Sequence, residues 1–386
     1  MINILSTRRD GSANIEEIIC AVVFCAFSFV YLYYYQGDLL MMQQHVLSNG
    51  LTSYNCLIGA SIITICLQLV QVFINKVFCR KTKYLATTYF LPIMLLTILT
   101  DVSPNIDCGY ELGKWSWLAP LLTIAYIVGN IVCTSFSSHE EDESDKTEAR
   151  AIWQNLLIMT ALFLFSCSAS NTDTAFHNRM KIERYICQND FLNALTVGKQ
   201  SLETDSSTTM LRIYSLSAIG KLGDHLFEYN LMGGSDAMLP NGRSVKTMMY
   251  PATKIYKGIS NKATIGKKPL DYLRWIDAHK VGKKTLADYT LCAYLLDKDI
   301  DGFAKAYKHF NESVAPTLPK HYKEALVLYN HLRSMPLISY HDEVAEADFQ
   351  DFQGIIKSNL TQQEKRSTIK KTYGNTYWYY YLYAGK

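Results

Sequence analysis

Four carboxylates stand at the ends of apolar stretches in the first third of the chain. Asp38 lies just past the first stretch, and Asp101, Asp107 and Glu111 lie between the third and the fourth. A carboxylate at the mouth of a membrane helix can act as a general base toward a lipid-linked sugar, and Asp38 has the position such a base takes. The plainer reading is an interfacial acid at a helix end. No other catalytic spacing is present. The chain has no nucleophile elbow, no phosphate-cradling glycine loop and no HExxH. Its nine histidines are scattered, and its ten cysteines include no CxxC, so neither a metal nor a cofactor is expected. Cys187 and Cys292 are the two cysteines of the second half. They are either a disulfide of an oxidising compartment or two separate buried thiols.

The elements that must position these residues are apolar and long. Uncharged or nearly uncharged stretches fall at about 18–35, 56–78, 84–100, 115–136 and 152–169, and none follows. The whole-chain mean hydropathy of −0.01 averages an oily half with a wet one. About 20 helical residues cross a ~30 Å hydrocarbon core, and a spanning segment must satisfy its own backbone. The expected fold is therefore all-α: a polytopic bundle of five transmembrane helices over residues 1–170, then a water-soluble helical domain over 171–386. Mid-helix charges are missing, which disfavours an ion-coupled transporter.

Lysine and arginine set the orientation. Arg8 and Arg9 precede the first stretch, and Lys76, Arg80, Lys81 and Lys83 lie between the second and third. The segment 37–55 has no basic residue, and Lys114 is the one basic residue of 101–114. The rule places the amino terminus inside and, after five crossings, the C-terminal domain outside. In a bacterium this is a multi-pass inner-membrane protein with a cytoplasmic amino terminus and a periplasmic domain. Trp115 and Trp117 then read as aromatic-belt residues.

In the second half apolar residues recur at helical spacing with polar breaks. One stripe holds Met180, Ile182 and Ile186, and Phe191, Ala194 and Leu195 begin another. A third runs from Met210 to Ile219, after which Asp224 takes an N-cap position. Helices are predicted over 286–296, 303–310, 323–332 and 342–358, with 233–268 a long loop or an eroded hairpin. Short helices paired by tight polar turns suggest tetratricopeptide-like hairpins stacked around a concave groove, with an irregular all-α domain as the alternative. From Arg243 to Lys284 eleven basic residues face two acids, and Lys262, Lys267, Lys268, Lys283 and Lys284 mark a basic patch. The patch suits anionic lipid or an acidic partner, or is a solvated face. Outside a membrane, nucleic acid is excluded as a partner. The chain ends in a run of tyrosines around Trp378, either a packed terminal helix or an aromatic platform.

Three phrases carry a resemblance: DHLFEYN at 224–230 with MLP at 238–240, YLLDKDIDGFAKAYKHF with LPKHYKEALVLY at 294–329, and GNTYWYYYLY at 374–383. Together they resemble a family of membrane proteins of unknown function from Bacteroidota-type Gram-negative bacteria. The resemblance implies membrane helices followed by periplasmic tetratricopeptide-like hairpins, and no activity. It directs attention to Asp224, His225, Phe227, Tyr377, Trp378 and Tyr380 as binding residues. It also gives meaning to Asp173-Thr174-Ala175, which matches the pattern such bacteria O-glycosylate at Thr174. The expected function is a non-enzymatic membrane-anchored scaffold that contacts membrane lipid and binds a protein partner in cell-envelope assembly. The alternative is a degenerate or accessory glycosyltransferase-like protein working through Asp38.

Overall fold

The computed structural model describes residues 2–78, 85–109, 111–137, 148–262, 267–310 and 317–383. The regular structure of these residues is helical, apart from one isolated antiparallel bridge between Ser260 and Gly282. The chain divides into two compact units, Met1–Asp173 and Thr174–Lys386.

The first unit holds α1 (Ile2–Val30), continued by a π-helical turn at Tyr31–Tyr35, then α2 (Gly37–Leu47) and α3 (Cys56–Phe78). A 3₁₀ turn, Leu85–Tyr89, runs into α4 (Phe90–Thr100), and α5 (Trp115–Ser137) and α6 (Glu148–Ala169) follow. Among the described residues four segments are long and apolar enough to cross a membrane: Ile15–Tyr35, Cys56–Lys76, Trp115–Val132 and Arg150–Ala169. The third predicted stretch is shorter. Its 3₁₀ and α portions together rise ~26 Å, and Pro92 sits in the first turn of α4, where its missing N–H costs little. The predicted loop at 37–55 contains α2, whose Leu39, Leu40 and Met42 are buried. Arg80, Lys81 and Lys83 of the orientation argument lie outside the described residues.

α3 shows what solvent this unit is built for. Ile58, Ile62, Ile65, Leu69 and Phe73 form one stripe, each more than half exposed. The opposite stripe, Ala60, Thr64, Leu67, Gln71 and Ile74, is buried. The outside is thus uniformly apolar and the inside partly polar, which is costly in water and natural in lipid. Some of the buried polar groups find partners across helices. Gln71 Nε2 donates to Thr88 Oγ1 at 3.0 Å, and Asn155 Oδ1 accepts the Ala86 N–H at 3.0 Å, satisfying the start of the 3₁₀ turn.

The second unit runs α7 (Thr174–Cys187), α8 (Phe191–Thr196), α9 (Ser206–Ala218), α10 (Leu222–His225), α11 (Ala252–Ile259) and α12 (Pro269–Ala278). It continues through α13 (Leu286–Leu296), α14 (Ile300–Phe310), α15 (Lys320–Leu332), α16 (Glu343–Lys357), α17 (Gln362–Tyr373) and α18 (Tyr377–Tyr383). Side-chain caps start several of them: Asp190 for α8, Asp205 for α9, Asp342 for α16 and a Thr361/Glu364 capping box for α17. α13 is buried nearly all round, as its apolar sequence requires, and lies at the centre of one continuous core.

Neighbouring helices stack from α12 through α18, and other contacts skip along the chain. α10 packs on both α13 and α15, and α18 folds back onto α15. Gly223 marks the α10 crossing, because a Cβ there would lie 2.8 Å from the Pro319 side chain and from the Tyr322 ring. Glu183 serves the irregular stretch before α11. Its buried Oε1 accepts the N–H groups of Met248, Met249 and Tyr250 at 2.6–2.7 Å. That carboxylate replaces a helix or strand partner for a segment the sequence left without periodicity.

Candidate functional site

α15 brings the three sequence phrases together. His321 and Glu324, one turn apart, are both buried, and His321 Nδ1 lies 2.9 Å from Glu324 Oε2. The Phe227 N–H points at His321 Nε2 at 3.3 Å. Nε2 is therefore an acceptor, and Nδ1 carries the proton that Glu324 receives. Glu324 Oε2 also accepts the Tyr377 N–H at 2.7 Å, and the Glu324 carbonyl accepts the Trp378 indole N–H at 2.7 Å. One helical turn thus clamps the 224–230 phrase on one side and α18 on the other. Phe227 fills the space between them, with ring centroids 5.1 Å from His321, 5.0 Å from Tyr377 and 4.6 Å from Tyr380.

In front of this clamp a groove of about 530 Å³ opens. One wall is Lys199–Leu202 with Glu228–Leu231. The other is Arg366, Lys370 and Gly374 with Tyr379, Tyr380 and Tyr383. Phe227 forms part of the floor, and Tyr380 is fixed by donating its hydroxyl to the Leu296 carbonyl at 2.8 Å. Cations lie over the aromatic rings: Lys199 at 5.6 Å from the Tyr229 centroid, Arg212 at 5.0 Å from the same ring, and Arg366 at 6.0 Å from Tyr383. Burial pushes the Glu228 carboxyl up, but hydrogen bonds from Lys199 at 2.8 Å and His225 at 2.7 Å together outweigh it and hold Glu228 below the ordinary glutamate value. The one acid of the groove is thereby neutralised. Arg366 and Lys370 remain as exposed cations beside flat tyrosine faces. Such a surface can hold a ligand that offers carboxylates together with a flat apolar group.

The predicted binding residues divide accordingly. Phe227 and Tyr380 line the groove, while Tyr377 and Trp378 are buried behind it. His225 acts on the groove only through Glu228. Asp224 does not cap the helix it precedes in sequence, because it lies inside α10, whose N-cap position is Lys221. Its Oδ1 instead accepts the Lys320 N–H at 3.1 Å and so caps α15, whose own cap position is Pro319, which has no side-chain acceptor. Lys199, Arg366 and Lys370 escaped the sequence reading. Lys199 stands alone in its segment, Arg366 and Lys370 lie one turn apart in the charged stretch of α17, and the two segments meet only through the fold.

The remaining candidates lie elsewhere. Lys262, Lys267, Lys268, Lys283 and Lys284 are all exposed and line no part of the groove. Thr174 is exposed as the first residue of α7. Cys187 and Cys292 are free and form no disulfide. Cys292 is buried beside the Tyr322 hydroxyl at 3.5 Å, but Cys187 is exposed, contrary to the expectation of two buried thiols.

Asp38 lies in the first turn of α2, half-buried. Two cavities lie nearby in the chain fold. One, of about 20 Å³, has room for a single water and is lined by Asp101, Glu111 and Trp115. The other, of about 410 Å³, is lined by Leu40, Leu47, Tyr54 and Ile63. Asp38 lines neither. Asp101 pairs with Lys114 at 3.0 Å and accepts the Trp115 indole N–H at 2.8 Å, so Trp115 is a buried loop anchor and not a belt residue. Among the described residues no group of three His, Cys, Asp or Glu side chains is placed to hold a metal ion.

Residues 273–384 match the model of a family described as a family of unknown function (DUF6057). The matched stretch carries α13 to α18, hence the clamp and the Arg366–Tyr383 wall. The Lys199–Leu231 wall lies before it. No curated protein and no solved structure matches the chain.

Proposed function

We propose that this chain is a membrane-anchored docking protein whose second unit receives a segment of a protein partner in the Lys199–Tyr383 groove. The observation that carries this reading is the convergence of His321, Glu324, Phe227, Tyr377 and Trp378 directly behind an open groove of 530 Å³. A hydrogen-bonded clamp holds an aromatic surface in one shape, and a preorganised surface loses less on binding. The groove's chemistry calls for an acidic segment with an aromatic or planar apolar anchor. With five crossings, the lysine and arginine distribution supports a groove on the outer side of a bacterial inner membrane, where a partner of cell-envelope assembly would meet it. Tetratricopeptide-like stacking of α12 to α18 is compatible with that role. Asp38 stands apart from the neighbouring cavities, and the glycosyltransferase-like alternative gains nothing from its surroundings.

The test is photo-crosslinking in intact cells. A photoreactive residue replaces Leu202 at the groove rim, with the same replacement at exposed Val344 on α16 as control. A discrete protein adduct is expected from position 202 alone, weakened about tenfold by R366E/K370E, a loss of ~1.4 kcal/mol. An adduct pattern shared with position 344, or one indifferent to the charge reversal, contradicts the reading.

A further inference from the structure

The basic block between α11 and α13 is a surface separate from the groove. The fold folds it onto itself. Ser260 bridges Gly282, the Lys283 N–H donates to the Ile259 carbonyl at 2.7 Å, and Lys283 Nζ donates to the Lys257 carbonyl at 2.6 Å. Lysines 25 or so positions apart in sequence therefore share one face. Lys257, Lys262, Lys267, Lys268, Lys283 and Lys284 are all exposed, and among the described residues none has an acid within ion-pair distance. The acids of this stretch are engaged elsewhere: Asp271 by Arg274 at 3.8 Å, Asp277 by His309 at 3.0 Å, and Asp288 by the Tyr322 hydroxyl at 3.0 Å. Trp275 lies beneath Lys267 at 5.5 Å and adds the flat amphipathic group favoured at a headgroup layer.

We infer that this lysine face docks on anionic phospholipid headgroups. The six exposed charges are lysine point charges, and the neighbouring Arg274 is paired with Asp271, so the face suits a layer of phosphates more than fixed bidentate recognition of a protein carboxylate. The second unit is also confined near lipid, since four residues separate Ala169, the end of the fourth candidate span, from Thr174. Such a contact would restrain a domain on a short tether and is independent of which side of the membrane it occupies.

The full chain is reconstituted into nanodiscs of phosphatidylglycerol or of phosphatidylcholine, and lysine acetylation rates are read residue by residue by mass spectrometry. The chain and the disc scaffold are the same in both, so the headgroup charge is the one variable. The six lysines should react about threefold or more slowly in phosphatidylglycerol, with the rates restored at about 0.5 M NaCl, where screening is strong. Lys357 and Lys371, exposed on α16 and α17, should react equally in both discs. Equal rates for the six lysines in both lipids, or slowing that survives the salt, would overturn the inference.

Discussion

Replacing Glu324 by alanine tests whether the clamp holds the groove in shape. The substitution removes the acceptor of two donors, the His321 Nδ1–H at 2.9 Å and the Tyr377 N–H at 2.7 Å, both on residues with no exposed surface. A buried donor left without a partner costs about 1–3 kcal/mol. Two such donors give ~2–6 kcal/mol, a large share of the 5–15 kcal/mol that holds a domain together. Glu324→Gln keeps an acceptor oxygen of the same shape and loses only the charge, which costs roughly 1 kcal/mol. The two variants should therefore separate by several degrees in melting temperature, at roughly 2–4 °C per kcal/mol for a domain of this size. Hydrogen exchange of the 374–383 peptide locates the effect, because Tyr377 opens α18. E324A should accelerate exchange there first, with E324Q close to wild type. If E324A and E324Q melt together, or if the α18 peptide is no more affected than α7, the clamp does not carry the site.

Other outcomes follow from the same packing. Burial raises the Asp288 carboxyl above the ordinary aspartate value, the charge of Asp224 adds to it, and the Tyr322 hydrogen bond opposes it. The folded state therefore holds this proton more tightly than the unfolded chain, and stability falls as pH rises from about 4 through the folded value. Asp288→Asn keeps an oxygen for Tyr322, so its melting temperature should exceed wild type at pH 7, with the gap closing toward pH 4. A gap independent of pH would contradict this. Thr361→Ala removes half of the α17 capping box and should cost ~1 kcal/mol by chemical denaturation, with no change in the circular dichroism of the folded state.

The sequence made the helices legible and the site only partly so. The stripes of α7 and α9 are apolar periodicity and α3 and α13 are continuous apolar runs, both local properties. α17 went unread although its Thr361–Glu364 capping box was visible, because its face is charged and only Ile369 is buried. Asp224 was recognised as a cap, but the helix it caps begins 96 residues later. Phe227 and Tyr380 stood out because their phrases are aromatic. Lys199 and Arg366 did not, because a surface cation acquires meaning only from the tyrosine opposite it. The internal polar contacts of the first unit, such as Gln71 with Thr88, depend on which stripe faces inward, which apolar length alone does not specify.

The proposed role requires lipid around the apolar stripes of α1, α3, α5 and α6 and, if the chain crosses five times, outer-side water around α7 to α18. Protease added to intact spheroplasts, followed by immunoblots against each end of the chain, measures this directly. Loss of the carboxyl-terminal epitope with survival of the amino-terminal one is the predicted result. A carboxyl end that is degraded only after lysis would contradict it.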